Sequence, residues 1–179
     1  VHELVFQPFV DAQTAKYDML KSMNDKLKGI FTGRSGEQIS RHKSKFKFMD
    51  RTLNGEEIIS VALNVGNEGN LFKLTDGYRW DRDQLMEELD AWMTNEDWQM
   101  VQDLWDTINL LWPDLSAVHE RATGLPPAKV EATPVETKFG TFAGGYMPVV
   151  YDPAQVGWES LKQSVNQERK AAEGLFENN

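Results

Sequence analysis

A mainly α-helical chain is predicted: five or six helices in one domain, with a small β-hairpin near 135–151 laid against them. Three observations predict it. Helix-start pairs recur at the capping spacing: Asn54 with Glu57, Asp81 with Gln84, and Thr94 with Asp97. Apolar residues repeat at three- and four-residue spacing, most regularly over 95–122. Strand formers gather around glycines only between Val135 and Asp152.

The elements follow in order. Residues 9–31 read as a helix because Phe9, Ala12, Leu20, Met23, Leu27 and Ile30 recur with Lys and Asp between them. Gly33 and Gly36 break that pattern, so Thr32–Ser40 is predicted to be a loop. Arg41–Arg51 is the basic cluster, with five Lys or Arg, and Lys45–Phe48 alternates polar and apolar as a short strand or extended arm would. Asn54 opens a helix through Ile58, Ile59, Ala62 and Leu63, with Leu53 and Ile58 as a staple, and Gly66 ends it.

GNEGN (Gly66–Asn70) reads as a break, its two glycines free to take positive φ and its asparagines free to cap. Leu71–Leu74 adds a turn of helix before an expected Asp76–Gly77 turn. Asp81 opens a helix through Met93, and Thr94 opens one over 95–112. There Trp98, Trp105 and Trp112 stand seven apart, with Val101, Ile108 and Leu115 interleaved. That period favours a core seam over a stacking platform for ligands, with Leu63, Leu85 and Leu89 nearby. It also places His119 on the seam as a packing residue, with Trp80, Trp92 and Trp158 against it.

Pro113 permits a kink, Asp114–Thr123 is helical, and Gly124 stops it. LPPAKVEATP (Leu125–Pro134) connects to the hairpin, and Asp152-Pro153-Ala154-Gln155 opens a last helix over about 153–175. The expected organisation of 1–179 is thus an N-terminal helix and basic arm (1–50), a helical core (51–124), the hairpin (135–151) and a C-terminal helix.

Composition excludes more than it assigns. With 179 residues, 40% hydrophobic and six Trp, the chain can bury a real core. The absence of Cys removes disulfides, thiolate metal sites and a Cys nucleophile. A net charge of −9 opposes strong nucleic-acid binding. No apolar run is long enough to span a bilayer. His2, His42 and His119 lack metal-binding spacing, and neither a GxSxG elbow nor a P-loop is present. No catalytic set, bound metal or cofactor is therefore expected.

Two groups remain as candidate binding residues. One is Asn67, Glu68 and Asn70 with Asp76, in and after the polar turn. The other is Lys43, Lys45 and Lys47, facing either a partner or the acidic stretch Asp76–Asp106 of the same fold. An alternative is a metal-dependent hydrolase or nuclease, with Glu68 and Asp76 or Asp81 converging on a divalent ion.

ALNVGNEGN (Ala62–Asn70), Trp80 with the Asp81 helix, the Asp97–Pro113 tryptophan series, TGLPPAKVEATPV (Thr123–Val135) and GTFAGGYMPVVYDP (Gly140–Pro153) stand in a recognisable order. Over about residues 50–155 the chain resembles the polyvalent-protein-associated domains of very large tailed-phage and prophage proteins. The resemblance implies a phage-encoded, non-catalytic structural or interaction module, found in the virion or the host cytoplasm and delivered with the DNA. Its implied partners are neighbouring modules of the parent protein or other virion components. The opening Val1 in place of Met is what a module excised from a longer chain would show.

Overall fold

The structure, a computed structural model, describes residues 7–148. The chain divides into a compact unit, Val1–Met147, and a second, Pro148–Asn179, of which only Pro148 is described. The helix expected over 153–175, with Trp158, lies outside the described residues, as do 149–151 of the expected hairpin.

The described part is mainly helical with small antiparallel strands, as the sequence predicts, but it holds two strand pairs where one hairpin is expected. Helix α1 (Gln7–Thr32) is followed by α2 (Gly36–Lys43), which starts in the stretch Thr32–Ser40 expected to be a loop and runs on into the basic cluster. Glycines at 33 and 36 mask a real start signal: the Ser35 side chain accepts from the Gln38 N–H, and Glu37 sits in the first turn. Strands β1 (Lys45–Phe48) and β2 (Arg51–Asn54) pair with Phe46 opposite Leu53 and Lys47 opposite Thr52. Alternation turns Phe48 into the core and leaves Lys45 and Lys47 exposed. Met49, in the turn, takes φ 54°, a conformation costing a non-glycine residue about 1 kcal/mol.

Helix α3 (Gly55–Leu63) has the complete capping box read from the sequence, Asn54 accepting from the Glu57 N–H at 2.9 Å and Glu57 accepting from the Asn54 N–H at 2.7 Å. Its Ile58 and Ala62 are fully buried. Each large apolar side chain so buried contributes about 1.5–3 kcal/mol. Helix α4 (Glu68–Tyr78) is longer than the single turn expected and runs through Asp76 and Gly77. It stops at Arg79, left-handed at φ 57°, with the Trp80 N–H returning to the Thr75 carbonyl at 2.9 Å and the Arg79 N–H to Asp76 at 3.3 Å. The stop falls here because Trp80 is held: it stacks on Tyr78 at 4.6 Å and its Nε1 donates to Asp50 at 2.6 Å.

Helix α5 (Arg82–Trp92) starts at its Asp81 cap, and α6 (Asn95–Asn109) at the Thr94–Asp97 box. Trp98, Val101 and Trp105 are buried, with Leu63, Leu85 and Leu89 in the same core. The seam ends sooner than the heptad implies. Leu110 and Leu111 form a turn, and Pro113 enters the first turn of α7 (Trp112–Thr123), so the helix axis is broken. Ile108 and Trp112 are therefore only half-buried, and Leu115 is exposed. His119, expected on the seam, is also exposed and bonds locally, its Nδ1 3.0 Å from the Leu125 carbonyl.

The hairpin is shorter than the predicted 135–151: β3 (Val135–Thr137) pairs with β4 (Gly140–Phe142), Val135 opposite Phe142. Phe142 stacks on Trp98 at 5.8 Å, and the Lys138 N–H donates to the Asp90 carboxylate. Residues 143–148 leave the sheet because Gly144 turns at φ 78°.

Candidate functional site

The two groups singled out by sequence part company in space. Asn67, Glu68 and Asn70 open α4, and Asp76 sits exposed near the far end of that helix. Lys43, Lys45 and Lys47 lie on α2 and β1.

Asn67 and Asn70 belong to a clasp. The Asn67 side chain caps α4 by accepting from the Asn70 N–H at 2.9 Å, and Asn70 Nδ2 donates to the Met147 carbonyl at 2.6 Å. The Gly66 carbonyl accepts two backbone N–H groups, from Thr133 at 2.8 Å and Gly145 at 2.9 Å. Trp105 lies across this junction and donates from Nε1 to the Leu63 carbonyl at 2.9 Å. A Cβ at Gly66 or Gly145 would overlap the Trp105 indole. Gly66 and Gly69 do not take positive φ, contrary to expectation; at Gly66 the requirement is close approach. The segments GNEGN and GGYM, far apart in sequence, thus form one joint.

Glu68 is exposed and paired with Arg82, at 2.5 and 3.1 Å in a fork. Asp81 accepts from the Gln84 N–H at 3.0 Å. Among the described residues no group of three or more His, Asp or Glu side chains is placed to hold a metal ion. Also among them, no helix is long and apolar enough to cross a membrane.

The basic cluster splits by direction. Arg41 and His42 turn inward onto Asp97, the residue that also closes the α6 capping box. Asp97 is 0% exposed and His42 1%. Asp97 Oδ1 faces His42 Nε2 at 2.8 Å and Gln38 Nε2 at 2.9 Å. Its Oδ2 accepts from the Thr94 N–H and hydroxyl, both at 2.9 Å, and from Arg41. Burial alone would push the Asp97 carboxyl up. The Thr94, Gln38, His42 and Arg41 hydrogen bonds outweigh it and hold the group below the ordinary carboxylate value. His42 Nδ1 lies 3.5 Å from Arg34 Nη1, which can only donate, so the partners imply the Nε2–H tautomer. Arg41 stacks over Trp92 at 4.2 Å and donates to its carbonyl at 3.1 Å.

This cluster is what sequence reasoning missed. The capping box gave Asp97 one role, and only folding brings His42 to it across 55 positions.

Lys43, Lys45 and Lys47 are exposed and form no ion pair among the described residues. Changing all three to Gln is expected to alter the unfolding free energy by under about 0.5 kcal/mol in low-salt urea denaturation. A loss above about 1 kcal/mol would assign them an intramolecular partner.

Uncommitted apolar surface lies elsewhere. α7 buries no residue, and Leu115 and Val118 stand three apart on it, 59% and 56% exposed. Between α1 and α6 runs an open groove of about 300 Å³, lined by Met19, Met23, Lys26, Leu110 and Leu111 among others. Compared with family models, curated proteins and solved structures, the chain matches none.

Proposed function

We propose that the chain is a non-catalytic interaction module of a large phage-encoded protein, acting in the virion or in the host cytoplasm after delivery with the DNA. The observation that carries this reading is the exposed apolar surface of a well-packed fold. α7 contributes nothing to the core yet presents Leu115 and Val118, and Leu110 and Leu125 flank it, also exposed. Surface of this kind is characteristic of segments that meet a partner.

Two further features support it. Several chemically capable side chains are engaged within the fold: Asp97 by Arg41 and His42, Asp50 by Trp80, Glu68 by Arg82, Asp90 by Lys138. Two of the segments that carry the resemblance to polyvalent-protein domains meet at the Gly66–Gly145 clasp, so they serve one structural purpose.

The partners on this reading are neighbouring segments of the parent protein or other virion components. Co-purification tests it: the tagged chain is expected to retain one of these from a defined mixture. Changing Leu115 and Val118 to Ser should weaken retention without altering the circular dichroism. Retention of none of them would contradict the proposal.

A further inference from the structure

Helix α1 carries two largely apolar stripes, and among the described residues the fold packs one of them. Met19, Met23, Leu27 and Ile30 are half-buried on the side that faces α6. The second stripe is Val10, Gln13, Tyr17, Leu20, Asn24, Leu27 and Phe31, at strictly alternating spacings of three and four. Those are the a and d positions of a heptad, sustained over three repeats. At 3.6 residues per turn this stripe lies about 100° around the helix from the first, and only Leu27 belongs to both. Val10 is 44% exposed, Tyr17 67%, Leu20 48% and Phe31 44%.

Charge decides what fits it. The positions flanking the seam in this register are Thr14, Lys21 and Lys28 on the solvent side (e), and Lys16, Met23 and Ile30 on the other (g). No acid occupies any of them; Asp11, Asp18 and Asp25 fall at b positions, beyond the rim. A second copy of the chain would set Lys16 against Lys21 in a parallel pair, or the e-position lysines against one another in an antiparallel pair. Coiled coils place opposite charges there. An anionic membrane would attract the lysines but meet the three aspartates just outside them. Asn24, at an a position, is a register-setting residue in helix pairing and a cost in lipid.

We infer that the outer stripe of α1 is a coiled-coil docking seam for an amphipathic helix whose flanks are acidic, with a polar residue opposite Asn24. This rests on the interaction-module reading and names the partner's chemistry at one face.

The probe is a synthetic four-heptad peptide with Leu and Ile at a and d, one Asn at an a position, and Glu at every e and g. Its companion carries Lys at e and g. Fluorescence anisotropy with the whole chain is expected to show the Glu peptide binding at least about tenfold tighter than the Lys peptide. Lys16→Glu, Lys21→Glu and Lys28→Glu together should reverse that preference. Tyr17→Ser with Leu20→Ser should abolish binding at unchanged Tm, since both side chains are exposed.

Equal affinity for both peptides, or no binding of the Glu peptide, would overturn the inference. So would a sedimenting dimer that Leu20→Ser dissolves, or binding to phosphatidylserine vesicles that Leu20→Ser removes. If the Tyr17/Leu20 variant still retains the co-purified partners, the interaction reading stands and the seam alone is lost.

Discussion

Trp105→Ala is expected to lower the unfolding free energy by about 3–5 kcal/mol, measured by urea denaturation followed at far-ultraviolet wavelengths. Trp105 is 1% exposed, lies against Gly66 and Gly145, and anchors the Leu63 carbonyl. Truncation removes the ring that the glycine junction closes upon and leaves a cavity bounded by backbone that cannot readily collapse. Trp105→Phe separates the contributions: it keeps most of the ring and strands the Leu63 carbonyl, a loss of about 1–3 kcal/mol. A Trp105→Ala loss under about 1 kcal/mol would mean that the clasp does not depend on the indole.

Asp97→Asn is expected to cost about 3 kcal/mol, the low end for breaking a buried pair because Arg41 keeps some contact with solvent. The amide keeps one acceptor oxygen and turns its N–H₂ either toward Arg41 and Thr94 or toward His42 and Gln38, and each pair requires an acceptor there. The pH dependence has a fixed sign. A carboxyl whose native value is lowered contributes its full stability above the unfolded value of about 3.9, and loses it as pH falls through the native value. The stability difference between the native chain and Asp97→Asn should therefore be constant near neutrality and shrink as the pH falls below about 4. A difference that is flat across that range would contradict the assignment.

Local grammar was legible from the residues. All three capping pairs begin the helices they announced, and Lys45–Phe48 alternates as a strand should. The heptad seam held through Trp98 and Trp105 and failed beyond, because Pro113 breaks the axis after Leu111; hence Trp112 is half-buried and His119 exposed. Helix α2 was hidden by flanking glycines, and α4 outran the Asp76–Gly77 turn because Trp80 fixes its exit through Asp50 and Tyr78.

The candidate site was legible in part. The polar turn does contain a structural joint, but its partners, Thr133 and Gly144–Met147, are long-range and leave no local trace. The same holds for His42 on Asp97. In α1, Leu20 belongs to a second stripe rather than the core, a distinction visible only once Met19, Met23, Leu27 and Ile30 are seen to face α6.

Amide hydrogen exchange on the whole chain, alone and with a co-purified partner bound, tests most directly whether the exposed helical faces are what the module uses. Added protection is expected within residues 10–31 and 112–125, with the amides of α3 and α6 unchanged. Protection that instead centres on Glu68, Asp76 and Asp81, with residues 10–31 and 112–125 unaffected, would contradict it.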